Sequence, residues 1–373
     1  MVNHIDSWIE RAQSYSLSLV IRHRDNFLDP VNSALSLLTN HKWKSITLDG
    51  DTRILAILKE LELSNLEMLE SFSLSTRFYF KFSPIDALRY TPKLKTQSLC
   101  FNYTVAFDML SFPWRQLTSL TITLWDNNIV VDTILRASVN LEEFIINGNY
   151  YGSGSNDSIS LNYLRKLHTL SDHNKFLLSL KTPSIQDFAV KANDFKYLSY
   201  DVVYDYIEKN SSTLLKLSIA PSESGLVDTI PYLRSLVELK LYDNDCENDG
   251  LITMYEILSS LVVNSKMDPS TIPLPRLEVL EIICQATEEN QRTFMKVVDS
   301  RWWSDEEENA RQKEGQRSLS RIKRSVLMNV HTELNMFCRD DVDVLRAQGL
   351  SIEYLAPFDG MDDDDFYTPG YYA

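Results

Sequence analysis

A short pattern of apolar residues recurs along most of the chain, and it constrains the fold more than any other feature. The stretch LTSLTITL from Leu117 carries aliphatic residues at its first, fourth and sixth positions. The spacing returns in nine other stretches, and the sixth residue is aliphatic in all ten. Ten copies in chain order are hard to obtain by chance in an ordinary α/β domain. The stretches begin at Trp43, Leu69, Leu94, Leu117, Leu141, Ile185, Leu214, Leu236, Leu277 and Ile322.

The distances between these stretches are typical of one class of fold. Most starts lie 22 to 29 residues apart, and three intervals of 41 to 45 residues are close to two units each. The long intervals are predicted to hold either a degenerate unit or an insertion. A period of about 20 to 29 residues with this pattern is the leucine-rich-repeat signature. Each unit contributes one short strand, whose apolar side chains are buried only when neighbouring units stack against it.

The segments between the strands show helical spacing. In the best of them, residues 251 to 263, apolar residues recur every three or four positions and line one face of a helix. We therefore predict an α/β leucine-rich-repeat solenoid with irregular repeats. In such a fold a curved parallel sheet forms the concave face, and the helices form the convex face.

The pattern also divides the chain into three regions. Residues 1–42 are predicted to form an N-terminal cap of a helix and a strand, in which Leu17, Leu19 and Ile21 line an edge strand and Trp8 and Ile9 seal the helix. Residues 43–355 are predicted to form the solenoid, with about ten recognisable units. Residues 356–373 are rich in aspartate and are expected to be a disordered tail.

Charge and cysteine usage limit the partners that we expect. The 52 acidic and 37 basic residues give a formal net charge of -15, which repels nucleic acid and anionic membranes. No stretch approaches the roughly 18 apolar residues of a membrane span. The four cysteines are scattered and suggest neither a zinc site nor a disulfide framework. We expect a soluble cytoplasmic or nuclear protein that binds neither nucleic acid nor membrane.

No residue pattern points to catalysis, a cofactor or a metal. His168, Asp172 and His173 could begin a metal site, but a polar loop explains them at least as well. Residues 242–250 alternate acids as a calcium loop does, but their glycine is at loop position eight, and the EF-hand turn requires it at six. We predict that the chain is not an enzyme. The alternative is an enzyme whose site is built from insertions near residues 150–175 and 243–275.

Binding residues follow from the alternation of side chains along a strand. The fifth residue of each unit and the residue after the sixth point to the concave face. These residues are small and neutral in the early units, and larger or charged in the later ones. We expect a protein partner on the later half, around Asn147, Lys191, Lys240, Tyr242 and Glu281. The alternative is that this face is only solvated.

Several longer stretches carry a resemblance to a known family. They occur in the family's order over most of the chain, and they are WIERAQSYSLSLVI from Trp8, NHKWKSITL from Asn40, FPWRQLTSLTI from Phe112, ILRASVNLEEFII from Ile134, LPRLEVLEI from Leu274, VVDSRWW from Val297 and LRAQGLSIEYL from Leu345. In these stretches the chain resembles the leucine-rich-repeat portion of the F-box proteins of mushroom-forming fungi. The resemblance implies a noncatalytic protein-interaction scaffold, the substrate-recognition part of a ubiquitin-ligase receptor.

The same resemblance has one clear departure. Family members begin with an F-box, a compact helical module that docks on the Skp adaptor of a cullin ligase, and residues 1–60 do not match it. Skp and cullin are therefore expected as partners only if an F-box precedes this chain. The abrupt start is expected to mark a truncated gene model or a receptor that has lost its docking module. The alternative is a stand-alone leucine-rich-repeat binder or inhibitor unrelated to ubiquitination.

Overall fold

In the computed structural model the chain forms two compact units. The first unit comprises residues 1–185 and 192–199, and the second comprises residues 186–191 and 200–373. The residues that the structure describes are 17–22, 42–50, 66–76, 87–101, 111–124, 131–148, 157–170, 175–191, 199–220, 225–242, 254–264, 267–268, 270–284, 287–303, 319–329 and 338–355.

The first unit is built on seven strands that pair in parallel with their neighbours, in the order β1-β2-β3-β4-β5-β6-β8. A separate parallel pair, β7 and β9, lies in the same unit. The strands are β1 Leu17–Arg22, β2 Trp43–Gly50, β3 Ser71–Thr76, β4 Thr96–Phe101, β5 Ser119–Leu124, β6 Glu143–Gly148, β7 Ile159–Ser160, β8 Lys166–Leu170 and β9 Leu180–Lys181.

The second unit repeats this arrangement with six parallel strands in the order β10-β11-β12-β13-β14-β15. The strands are β10 Asp187–Val190, β11 Lys216–Ile219, β12 Glu238–Tyr242, β13 Val279–Cys284, β14 Arg324–Asn329 and β15 Ser351–Leu355. In both units, equivalent repeat positions stand opposite each other on paired strands. This register is the one that stacked leucine-rich repeats produce, so the predicted fold class is confirmed.

The repeat positions that the sequence predicts to face inward are buried. All ten sixth-position side chains are at most 2% exposed, and all ten first-position side chains are at most 3% exposed. Each such aliphatic side chain contributes roughly 1.5–3 kcal/mol of hydrophobic stabilisation. Two fourth positions are polar, Gln97 and Ser325, and their buried side chains have no hydrogen-bond partner among the described residues.

A turn at the start of the repeat recurs in both units. The first-position N–H donates to the carbonyl three residues earlier, which closes the chain into the strand that follows. The pairs are Leu69 to Leu66, Leu94 to Thr91, Leu117 to Trp114, Leu141 to Ser138, Leu164 to Leu161, Ile185 to Thr182, Leu236 to Leu233 and Leu277 to Leu274. Leu274 is the one residue other than glycine with a positive φ in the part of the chain that the structure describes.

The three long intervals are of two kinds. The interval from Leu141 to Ile185 holds a further repeat that starts at Leu164, with Leu167 and Thr169 at its fourth and sixth positions. The other two intervals are insertions, because β12 pairs directly with β13 and β13 pairs directly with β14. The alternatives that the sequence left open are therefore decided differently in the two units.

Helices lie between the strands, mainly in the second unit. The helices are α1 Val131–Ala137, α2 Tyr200–Asn210, α3 Gly225–Thr229, α4 Met254–Leu261, α5 Glu288–Asp299 and α6 Arg339–Ala347. The helix predicted within residues 251–263 is confirmed as α4, which buries its apolar residues Met254, Ile257, Leu258 and Leu261. The start of α5 is capped by Thr287, whose hydroxyl accepts a hydrogen bond from the Asn290 N–H at 3.2 Å.

Ring contacts show which side of the strands is covered. Phe188, at the fourth position of β10, has its ring centroid 4.8 Å from that of Tyr206 in α2. Phe72, the fourth position of β3, lies 6.2 Å from Phe112 in the segment before β5. The helices and turns therefore pack on the fourth- and sixth-position side. We call the opposite side of each unit, which carries the third, fifth and seventh positions, the open face.

Arg301 organises the insertion between β12 and β13. Its guanidinium is fully buried and donates to the carbonyl of Pro273 at 2.6 Å, of Leu274 at 3.0 Å and of Leu261 at 3.1 Å. Burial lowers the pKa of this side chain to about 10. The charge is stabilised by carbonyl dipoles, including one at the C-terminal end of α4, where a cation is favoured.

The predictions for the two ends of the chain are tested only in part. The predicted edge strand is present as β1, which pairs in parallel with β2 and half-buries Leu17, Leu19 and Ile21. Trp8, Ile9 and the tail 356–373 lie outside the described residues. No helix in the described part of the chain is long and apolar enough to cross a membrane.

Candidate protein-binding surface

The open face of the first unit is dominated by small hydroxyl side chains. Strands β2 to β5 each contribute three outward positions, and ten of these twelve are serine or threonine. One charged pair lies farther along this face, where the Lys166 ammonium is 2.6 Å from the Glu143 carboxylate. The Glu143 carboxylate also accepts a hydrogen bond from Ser119 at 3.2 Å. The hydroxyl-bearing outward positions are Ser45, Thr47, Ser71, Ser73, Ser75, Thr96, Ser98, Ser119, Thr121 and Thr123.

The open face of the second unit carries a chain of alternating charges. Lys240 on β12 lies 3.3 Å from Glu281 on β13, and Glu281 also lies 2.5 Å from Arg324 on β14. Arg324 in turn is 3.5 Å from Glu353 on β15. The strand register places Lys240 opposite Glu281, whereas Arg324 lies two residues along β14 from the position opposite Glu281. Four side chains on four strands are thereby linked by charge.

Burial differs along this chain of charges. The side chains of Lys240 and Glu281 are each 14% exposed, whereas that of Arg324 is 45% exposed. Water and salt screen a pair less when it is partly buried. The centre of the face at Lys240 and Glu281 is therefore more rigidly held than its rim at Arg324 and Glu353.

A second ion pair lies beside the first. The ammonium of Lys216 on β11 is 2.6 Å from the carboxylate of Glu238 on β12. The hydrogen bond to Glu238 raises the pKa of Lys216 above its ordinary value. Both side chains occupy the third position of their repeats, so the charged area extends from the fifth-position row to the third-position row.

Two lysines share the ring of Tyr242. The ammonium of Lys191, just after β10, lies 4.8 Å from the ring centroid, and that of Lys240 lies 5.4 Å from it. Cations within about 6 Å of an aromatic ring are attracted by its quadrupole. Tyr242 therefore holds both ammonium groups close to one another, although their charges repel.

That arrangement changes the ionisation of Lys191. Burial, reinforced by the positive charge of Lys240, lowers the pKa of Lys191 to about 8. The ammonium is the less favoured form in this environment, because part of its hydration is lost and a like charge is close. An anion placed beside Lys191 and Lys240 would offset the repulsion between the two ammonium groups and so raise the pKa of Lys191.

The structure brings together four of the five predicted binding residues. Lys191, Lys240, Tyr242 and Glu281 form one cluster on the open face of the second unit. Asn147 belongs to the first unit, where its side chain is 8% exposed and donates to the Thr123 hydroxyl at 3.3 Å. The outward direction predicted for the fifth positions is observed, but Ala189 and Val326 are buried there at 9% and 4% exposure.

Sequence reasoning missed two members of the charged chain. Arg324 is a third-position residue, and only fifth- and seventh-position residues were considered as binding candidates. Glu353 lies on β15, which the repeat pattern did not reveal because its apolar spacing is shifted by one residue. Arg324 stands opposite Val279 and Glu353 stands opposite Val326, so the pattern that could have found them is the series of charged residues at outward positions of neighbouring strands, whether third or fifth.

The described residues offer no metal site, since no group of three histidine, cysteine, aspartate or glutamate side chains is suitably placed among them. Three residues were considered as the start of a metal site in the sequence. His168 occupies the fifth position of β8, while Asp172 and His173 lie outside the described residues. A cleft of about 490 Å³ separates α5 from α6 and is lined by Arg292, Asp299, Cys338 and Asp341 among others. It lies on the helix side of the second unit, away from the open face.

Comparisons with known proteins add little beyond the fold. No family model and no curated protein sequence matches the chain. A structure of TLR13 in complex with ssRNA13 is 14% identical, with a TM-score of 0.39, over 84% of this chain and 42% of that chain. An internalin (inlF) from Listeria monocytogenes str. 4b F2365 is 12% identical, with a TM-score of 0.28, over 82% and 93% of the two chains. The chain thus spans about two fifths of the TLR13 chain, and neither likeness supports a functional argument.

Proposed function

We propose that this chain is a noncatalytic protein-binding scaffold whose partner docks on the open face of the second unit. The observation that carries the proposal is the chain of charges through Lys240, Glu281 and Arg324, next to the aromatic ring of Tyr242. Aromatic side chains and arginine are enriched in protein interfaces, and partly desolvated charge pairs set specificity there. Asn147 remains a predicted contact, but it belongs to the first unit and its side chain is 8% exposed.

A charge exchange tests this proposal. The double variant Lys240→Glu with Glu281→Lys inverts the centre of the charged face while keeping an opposite-charge pair. Glu143→Lys with Lys166→Glu is the matched control, because it exchanges an ion pair on the open face of the first unit. Both variants are first checked for native circular dichroism and cooperative thermal unfolding.

The readout is affinity capture from a lysate of the source organism, followed by quantitative mass spectrometry. We expect the proteins captured by the wild-type chain to be lost with the second-unit variant and retained with the control. Retention of the same proteins by a correctly folded second-unit variant would contradict the proposed surface.

A narrower form of the proposal concerns ubiquitination. We propose that the scaffold is the substrate-recognition part of an F-box receptor, a role supported by the family-like stretches and their order along the chain. Reading the transcript upstream of the Met1 codon for an in-frame F-box tests it. If an F-box is present, Skp and cullin should co-purify with the full product. If they do not, the stand-alone binder or inhibitor is the better description.

The same proposal places the protein in the cytoplasm or the nucleus. Among the described residues, Cys100, Cys284 and Cys338 form no disulfide, which supports a reducing compartment. A fluorescent fusion expressed in the source organism should therefore show cytoplasmic or nuclear signal. Secretion of the fusion into the medium would contradict this location.

A further inference from the structure

We propose that Lys191, Lys240 and Tyr242 form a subsite for a single carboxylate side chain, supplied by an acidic segment of the protein partner. The inference rests on the proposed function and narrows it, because it names the chemistry that the partner must present. It adds a binding role for each of the three residues.

The subsite has a floor of small side chains. Lys191 and Tyr242 follow β10 and end β12, and Ala220 occupies the corresponding position after β11 between them. Ala220 is only 2% exposed and Ala189 only 9%, although both stand at outward repeat positions. Since their side chains are too short to project, the longer side chains on either side can lean over them. The two ammonium groups therefore meet around the phenol ring beside these alanines, and we call the space that they border the recess.

The positions of these groups are set before any ligand binds. Lys240 is held by Glu281 at 3.3 Å, and Glu281 is held in turn by Arg324 at 2.5 Å. The ring of Tyr242 fixes both lysines within 5.4 Å of its centroid. An ammonium group has three N–H donors, so a contact with one partner leaves it able to donate to a second. A preorganised pair of cations loses little conformational entropy when an anion arrives.

The electrostatic state of the recess favours an anion of limited charge. The lowered pKa of Lys191 reflects in part the repulsion from Lys240, and a bound carboxylate would relieve that repulsion. Glu281 is paired with Lys240 at the recess, and Glu238 is paired with Lys216 in the third-position row of the same face. A polyanion would meet these carboxylates and the net charge of -15. A lone aspartate or glutamate side chain meets mainly the two ammonium groups.

The experiment follows the Lys191 side chain directly. The probe is a blocked tetrapeptide with one aspartate and three asparagines, called the aspartate peptide, and the blocked peptide of four asparagines is its control. Lysine ¹³Cε chemical shifts of the labelled full chain are recorded against pH with and without each peptide. We expect the titration midpoint of Lys191, about 8 in the free protein, to move upward with the aspartate peptide alone. An unmoved midpoint at saturating peptide would overturn the subsite.

Three variants establish which residues carry the binding. Lys191→Gln is expected to weaken the aspartate peptide about fivefold, the change that a loss of about 1 kcal/mol produces. Lys191→Arg keeps the charge and should retain binding, whereas Lys166→Gln, on the open face of the first unit, should leave it unchanged. Equal affinity in the wild type and Lys191→Gln would overturn the assignment. An equal midpoint shift with sodium phosphate at matched ionic strength would overturn the choice of a carboxylate.

These outcomes separate the subsite from the broader proposal. If the charge exchange abolishes partner capture but the peptide leaves Lys191 unmoved, the scaffold stands and the carboxylate subsite is wrong. If the peptide binds as expected but capture survives the exchange, the anion site exists and the partner docks elsewhere.

Discussion

On strands β2 to β5 of the first unit, ten of twelve outward positions are serine or threonine, whereas five of the twelve corresponding positions on β11 to β14 of the second unit are charged. The inward positions of the same strands are nearly identical in character, and almost all are aliphatic or aromatic. The comparison separates two kinds of information in one repeat. Inward residues determine the stack, because each must fit against its neighbours, while outward residues are free to differ and so can determine recognition.

The helix side differs between the units as well. Among the described residues of the first unit, the connections contain 3-10 turns, such as Ala87–Tyr90 and Trp114–Gln116, and one α-helix, α1. In the second unit the connections include α2, α4 and α5, and two of them are insertions rather than repeats. The charged open face therefore occurs where the repeats are longest and where a polar residue, Arg301, is buried among them.

The largest effect is expected from removing the buried cation Arg301, which tests whether the stability of the second unit depends on it. Arg301→Met leaves the carbonyls of Leu261, Pro273 and Leu274 without their donors. The substitution removes hydrogen bonds from a charged group and leaves buried carbonyl groups unsatisfied. We therefore expect a loss of about 3 kcal/mol in the free energy of unfolding, measured in urea. The exposed Arg234, which donates to the Ser270 carbonyl, supplies the control Arg234→Met, expected to cost under about 1 kcal/mol.

Hydrogen exchange locates the same effect within the molecule. Amides of α4 should lose protection in Arg301→Met, while amides of β3 to β5 keep theirs, because only the insertion contacts the guanidinium. Equal loss of protection in both units would contradict this difference between them, because Arg301 would then stabilise the whole protein and not only the insertion.

A smaller effect tests the helix packing of the second unit. A Cβ at Gly225, where α3 begins, would collide with the ring of Tyr204 in α2. Gly225→Ala should therefore destabilise the protein by about 2 kcal/mol in urea unfolding, the cost of overpacking a close contact. In the Tyr204→Leu background, which removes the colliding ring atoms, the same substitution should cost much less. Equal costs in both backgrounds would show that another contact is responsible.

The buried positions of the repeats could be predicted because buried residues are apolar and recur at fixed spacing in the sequence. The stretch that starts at Leu164 shows the limit of that record, since its sixth position is Thr169, which is fully buried yet not aliphatic. β15 was missed for a related reason, since Ile352 takes the fourth position and Gly349, not Leu350, therefore takes the first. Whether a long interval holds a repeat or an insertion was equally hidden, because only strand pairing distinguishes the two.

The candidate surface was predictable in its position but not in its contacts. The alternation of side chains along a strand gives Lys191, Lys240, Tyr242 and Glu281 as outward residues, so the local pattern alone pointed to four of the five residues. That Lys191 reaches the ring of Tyr242 across an intervening strand depends on the small size of Ala220, a contact between repeats that no single stretch contains. The low exposure of Asn147 likewise depends on its neighbours rather than on its position in the repeat.

Within the charged face, pH distinguishes Lys191 from its neighbour Lys216. The pKa of Lys191 is about 8 in the folded chain and ordinarily 10.5, so between these values the unfolded state binds more protons and stability rises with pH. The unfolding free energy of the wild type relative to Lys191→Gln should therefore increase from pH 7.5 to pH 10, by about 2 kcal/mol. The pKa of Lys216 is raised, so its contribution should instead stay constant below about pH 10.5 and decline above it. The same pH dependence in Lys191→Gln and in Lys216→Gln would contradict the different environments of the two lysines.

The smallest expected effect compares one ion pair from each open face. Glu281→Gln weakens the contacts with Lys240 and Arg324, and its carboxylate is 14% exposed, whereas that of Glu143 is 34% exposed. We expect a loss of about 1 kcal/mol in unfolding free energy for Glu281→Gln and about 0.3 kcal/mol for Glu143→Gln, since exposed pairs contribute little. In 1 M sodium chloride the effect of Glu143→Gln should vanish and that of Glu281→Gln should persist in part, because salt screens the buried pair less. If the two substitutions cost the same unfolding free energy and salt reduces both costs equally, the two faces differ in composition alone. The charges of the second unit are then not preorganised for a partner.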